Sequence, residues 1–222
     1  MKIQEYPDRE MLAMGLADVL ASALKNALLS QETVSFVVPG GTTPGPIFDS
    51  LCAADLDWAR VHVMLSDERW VPSDHDRSNA KLLRERLFVD RAKAAQFVPF
   101  HMDDHTPDTA APVLSAQLAN KMPISLLLLG MGADMHTASL FPGAVGLAAM
   151  LADDAPLVVP VSVEGQEPRI SFSGPALGGA MSKHLVIYGD EKRQALENAR
   201  NLDAEQAPIR AVLDGLTVHW AE

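Results

Sequence analysis

The densest chemistry in this chain is a carboxylate and an imidazole two residues apart, directly after two glycines: Gly130-Met-Gly132-Ala-Asp134-Met-His136. A histidine moves protons near neutral pH, and a neighbouring carboxylate can orient or charge-stabilise its ring. The plainer alternative is a tight turn whose histidine is merely hydrogen-bonded. A second group is Gly40-Gly41-Thr42-Thr43-Pro44. Its small residues and hydroxyls between a strand and a helix start suit an anion, with a phosphate as the expected guest. Asp67-Glu68-Arg69 and Arg77-Ser78-Asn79 are two further polar groups. Each reads either as ligand-facing or as an ordinary charged loop and helix cap. Arg169 leads a β-rich run, and Lys192 stands near a helix start, where a positive charge opposes the helix dipole.

These residues need elements to hold them. Ile124–Leu129 is an apolar run bounded by Pro123 and Gly130, as expected of a strand buried on both faces. Thr33–Val38 and Val61–Ser66 read the same way, and each also ends at a candidate group. Further strands are expected at Phe97–Phe100, Leu157–Val161, Arg169–Ser173 and Lys183–Tyr188, with Leu216–Trp220 at a sheet edge. Asp8 caps a first helix running through Leu28, and Thr43 is the expected cap of a helix with Pro44 at its first position. Helices are also expected from Ser78 or Asn79, from Thr106-Pro107 to about Asn120, and from Gly189 through Ala199, with a short one at Gly174-Pro175. Ala144–Asp154 reads as a short helix or lid. Alternation of strand and helix predicts an α/β fold: a Rossmann-like, mostly parallel twisted sheet with helices on both faces. In such sheets ligands bind beyond the carboxyl ends of the strands, where the candidate groups fall.

The 222 residues suit one domain spanning 1–222, and 48% hydrophobic with 21% charged content is ordinary for a globular chain. A net charge of −11 argues against nucleic acid as a partner, though a few arginines in one cleft can still hold a small anion. Cys52 is the single cysteine and reads as a packing residue, which fits a reducing compartment. No cleavage pattern or membrane-length apolar run is evident, so the expectation is a cytoplasmic protein without a membrane partner. Oligomeric partners are not legible. Gly130-Met-Gly132 lacks the third glycine of a dinucleotide fingerprint, since Met135 stands there, and there is no Gly-Lys-Ser/Thr phosphate loop. His101 and His105 would suit a metal only on a helix, and the Pro107 that follows places them before one.

Four segments together resemble the 6-phosphogluconolactonase family in order and spacing across nearly the whole chain. They are Gly40–Pro44; Ser66–Arg69 with Arg77–Asn79; Leu129–Gly143; and Arg169 with Gly189–Lys192. The His136-Thr-Ala-Ser-Leu-Phe-Pro142 run is the most specific. Ala133 and Met135 depart from the family's usual Pro and Gly, and Thr42 from a frequent Ser. The related glucosamine-6-phosphate deaminases share the glycine loop and the Asp-x-His. They carry a glutamate where this chain has Phe141, and phenylalanine cannot transfer a proton.

The resemblance implies hydrolysis of a phosphorylated sugar lactone, 6-phosphoglucono-1,5-lactone, with no metal and no organic cofactor. His136 would be the proton-transfer group and Asp134 its orienting partner. Gly40, Gly41, Thr42, Thr43, Asp67, Glu68, Arg69, Arg77, Asn79, Gly132, Arg169 and Lys192 would bind substrate. Arg69 is the weaker cation, because the adjacent Glu68 is expected to pair with it. Backbone N–H groups of the glycine turns are candidates for the oxyanion. The alternatives are an amino-sugar phosphate deaminase or isomerase, and a non-catalytic sugar-phosphate sensor.

Overall fold

The computed structural model describes residues 1–222. The first strand, β1 (Lys2–Glu5), leads into α1 (Arg9–Leu28), whose Asp8 cap accepts a hydrogen bond from the Met11 amide at 2.7 Å. Then follow β2 (Val34–Val38), α2 (Gly45–Leu51), β3 (Val61–Leu65), β4 (Asp67–Arg69), α3 (Asn79–Arg86) and β5 (Gln96–Val98). The second half contains α4 (Pro107–Leu118), β6 (Leu126–Gly130), α5 (Leu147–Leu151), β7 (Val158–Val161), β8 (Arg169–Phe172), α6 (Gly174–Gly178), β9 (Lys183–Tyr188), α7 (Asp190–Ala199) and β10 (Leu216–Ala221).

Seven strands form one parallel sheet in the order β1-β10-β9-β6-β2-β3-β5. Side chains alternate between its faces, as a strand's period of two requires. Val34, Phe36 and Val38 of β2, with Leu126 and Leu128 of β6, join the leucine stripe of α1 on one face. Val37 of β2, with Leu127 and Leu129 of β6, joins Leu114 and Leu118 of α4 and Leu196 of α7 on the other. Helices thus cover both faces, which is why these strands are apolar except for Ser35 and do not alternate with polar residues. By length and composition α1 could cross a membrane, yet Leu12, Leu16, Leu20 and Leu24 are all fully buried in the core.

Several elements differ from expectation. β4, β8 and β7 form a separate antiparallel sheet, so Asp67-Glu68-Arg69 is a short strand and not a loop. β10 is not at an edge. The polar segment Lys2–Glu5 pairs along it in parallel and takes the edge itself, where solvent can satisfy its outer backbone. Thr43 does not cap α2. Pro44 occupies the N-cap position in a helical conformation, Gly45 is the first helical residue, and no side chain caps the end. In contrast, Ser78 caps α3 and Thr106 caps α4 as their types predict.

The chain passes from β2 to β3 on one side of the sheet and from β6 to β9 on the other. The connections after β2 and β6 therefore diverge, leaving a crevice at the carboxyl ends of the central strands.

Candidate active site

A cleft of about 260 Å³ opens at that crevice. One wall is the turn after β2. Gly40 packs so closely on Asn79 that a Cβ there would lie 1.9 Å from the Asn79 Oδ1, so only glycine fits. Asn79 in turn donates to the Asp67 carbonyl at 2.9 Å, tying the turn to β4. The N–H groups of Gly41, Thr42 and Thr43 make no backbone hydrogen bond. Together with two threonine hydroxyls they are unspent donors, the kind an anion cradle uses.

The second wall comes from the small antiparallel sheet. Arg69 and Arg169 are direct cross-strand partners on β4 and β8. Neither pairs with a carboxylate, and the Nε of each is buried without a hydrogen-bond partner. Arg69 donates to the Arg77 carbonyl at 2.9 Å and to Asn79 Oδ1 at 3.1 Å; Arg169 donates to Gln166 at 2.7 Å. Burial pushes the Arg169 guanidinium pKa down; Asp67 counteracts this, while Arg69 and Arg77 reinforce it. Asp67 is itself held, its carboxylate accepting from Ser66 Oγ at 2.9 Å and Ser139 Oγ at 2.6 Å. Lys192, in the first turn of α7, completes the cationic lining and has no ion-pair partner.

The third wall is the loop after β6. Asp134 Oδ1 accepts from the His136 amide at 3.2 Å and contacts its Nδ1 at 2.6 Å. This local turn brings two residues of alternate sequence position face to face. Nδ1–H then donates to the carboxylate, which leaves Nε2 as the free basic nitrogen. A Cβ on Gly132 would fall 2.3 Å from both His136 Nδ1 and Asp134 Oδ1, so the pair needs glycine there. Thr137 Oγ1 donates to the Gly130 carbonyl at 2.9 Å and anchors the loop to its strand. Met135 sits in the left-handed region, at φ 66°, a conformation that glycine adopts without strain.

Residues 7–220 match the family of glucosamine-6-phosphate isomerases/6-phosphogluconolactonase. The chain belongs to this family. Among curated relatives, the 6-phosphogluconolactonase of Rhizobium meliloti (strain 1021) is 39% identical over 229 residues, covering 100% of this chain and 98% of the relative. That of Pseudomonas putida is 39% identical over 228 residues, covering 99% and 93%. A crystal structure of a 6-phosphogluconolactonase from Shewanella baltica OS155 superposes with a TM-score of 0.95 at 32% identity, covering 100% of this chain and 98% of the other.

Within this isomerase/lactonase family member, the cleft gathers Gly40, Gly41, Thr42, Thr43, Asp67, Arg69, Asn79, Gly132, His136, Arg169 and Lys192. Asp134 stands behind His136 and not on the lining. Two expected ligand residues lie elsewhere. Glu68 is buried and does not pair with Arg69's side chain. Its carboxylate accepts from the amides of Arg69, Asn79 and Ala80, each at 2.8 Å, and from Ser78 Oγ at 3.1 Å. It therefore pins the start of α3. Arg77 is exposed and salt-bridged to Glu167 at 2.7 Å. The Gly132 N–H is also unavailable to an oxyanion, since it donates to the His136 carbonyl at 3.1 Å.

Sequence reasoning passed over Ser139, buried beneath Asp67, and the contacts of Phe141. The Phe141 ring lies 4.5 Å from the His136 ring and carries the Arg169 guanidinium 5.1 Å from its centroid. Ser139 had one signal: a hydroxyl between Ala138 and the apolar Leu140-Phe141 needs a partner when buried.

Proposed function

We propose that this chain hydrolyses 6-phosphoglucono-1,5-lactone to 6-phosphogluconate in the oxidative pentose phosphate pathway. The observation that carries the reading is one cleft lined both by His136, with Asp134 hydrogen-bonded behind it, and by three cations without ion-pair partners. The curated relatives bear the same name, and Phe141 stands where ring-opening deamination would need a proton-transferring glutamate.

The phosphate is bound by Arg69, Arg169 and Lys192 and by the N–H and hydroxyl donors of Gly41, Thr42 and Thr43. Its binding energy positions the lactone ring over the β6 loop. His136 Nε2 takes a proton from water as the oxygen attacks C1, and Asp134 holds the resulting imidazolium in register. The tetrahedral intermediate collapses with cleavage of the bond from C1 to the ring oxygen. The proton on His136 passes to that oxygen and yields the open acid. No covalent enzyme intermediate, metal or organic cofactor enters this scheme. Asp67, fixed by two serines, accepts hydrogen bonds from the sugar hydroxyls and keeps the anion at the arginine end. We read residues 1–222 as a single unit acting on a small soluble metabolite in the cytoplasm.

The test is lactone disappearance with freshly made substrate, corrected for spontaneous hydrolysis, against His136→Ala. Acceleration by the wild type and its loss in the variant support the reading. Ammonia release from glucosamine 6-phosphate would instead identify a deaminase. Sugar-phosphate binding without turnover would identify a sensor.

A further inference from the structure

Phe141 lies beside two groups of the cleft lining. Its ring packs 4.5 Å from the His136 imidazole at 35°, and the Arg169 guanidinium lies 5.1 Å from the same ring's centroid. The ring is half-buried and packs partly against the hydrophobic core. A cation within about 6 Å of an aromatic face is attracted by the ring quadrupole. Two groups here can carry positive charge, and both address this one ring.

We propose that Phe141 is a positioning residue whose aromatic face holds Arg169 toward the phosphate and holds the His136 ring in place beside the lactone. The inference rests on the lactonase reading for its catalytic meaning, but its physical content does not. Replacing the ring by an aliphatic side chain removes the aromatic face beside which both groups lie, so Arg169 and the His136 ring lose a shared support.

The experiment compares Phe141→Leu with Phe141→Tyr; Phe141→Met is the second aliphatic variant should the leucine one fail to fold. Inorganic phosphate, titrated calorimetrically, should bind several-fold more weakly to F141L and with wild-type affinity to F141Y. With lactone, F141L should show a raised KM and a lowered kcat, and F141Y should restore both. A merely structural role would lower thermal stability and leave the phosphate affinity of the folded protein alone. Equal phosphate affinity in wild type and the folded aliphatic variant, or an equal loss in F141Y, overturns the proposal. Absence of lactone turnover in the wild type would overturn the lactonase reading, while phosphate binding still decides the role of Phe141.

Discussion

Arg69 and Arg169 face each other directly across the β4–β8 pair, and neither has a carboxylate partner. Like charges at opposed positions destabilise a sheet, and under the proposed function a bound anion would offset that repulsion. Arg169→Met should therefore leave the phosphate-free melting temperature unchanged or raised. It should also remove most of the stabilisation that inorganic phosphate gives the wild type. Its KM for lactone should rise by about tenfold or more, as expected for a lost charge-assisted contact. Thermal melts with and without phosphate, alongside steady-state kinetics, measure all three.

His136→Ala should lower turnover by about 10²–10⁴-fold, the usual range for a lost general base. Phosphate-dependent stabilisation should persist, because the arginine end of the cleft is untouched. Near-normal turnover in this variant would remove His136 from its role.

Gly132→Ala should cost nearly as much turnover as losing the histidine. The added methyl would occupy the space of the Asp134–His136 contact, with 2.3 Å to each partner. The fold should remain intact by circular dichroism, since the loop is partly exposed. Wild-type rates in G132A would mean that the pair can rearrange without consequence.

Met135 reverses a common rule. Glycine is normally less stabilising than alanine, yet at φ 66° a side chain costs about 1 kcal/mol of backbone strain. Met135→Ala keeps the strain and loses the packing of the side chain on the core. Met135→Gly loses the packing and relieves the strain. The glycine variant should thus be at least as stable as the alanine one by denaturant midpoint.

His184 and His219 lie side by side in the sheet, 3.0 Å between ring nitrogens, with Tyr6 and Ser182 closing the row. Burial lowers both pKa values, that of His219 to about 3. The unfolded chain then binds more protons than the folded one between about pH 6.5 and pH 3. Stability contributed by neutral His219 is full above pH 6.5 and is lost as pH falls through that window. The slope is of order 1 kcal/mol per pH unit. His219→Gln should flatten it in urea titrations from pH 7 to 4.5.

The parallel sheet and its two covered faces were legible because apolar runs ending at glycine or polar clusters leave few alternatives. The helix caps at Asp8, Ser78 and Thr106 were legible for a similar reason: they depend on near neighbours. The candidate groups could also be read as strand-end groups, since the connection after each strand is set locally. Whether a charge points into the cleft is not local. Glu68 and Arg77 look as much like ligands as Arg69 does in the sequence. Packing sends Glu68 beneath α3 and gives Arg77 to Glu167.

The residue types at the site, and with them the class of proton transfer and anion binding open to this protein, are set by the sequence alone. Four separate strand ends had to meet before those types became one cleft. Only the pairing of β4 with β8 put two arginines opposite each other, and only the fold of the β6 loop laid Phe141 between His136 and Arg169. Both relationships join segments far apart in the chain. Burial and sheet register decide such contacts, and neither is encoded within a short window of residues.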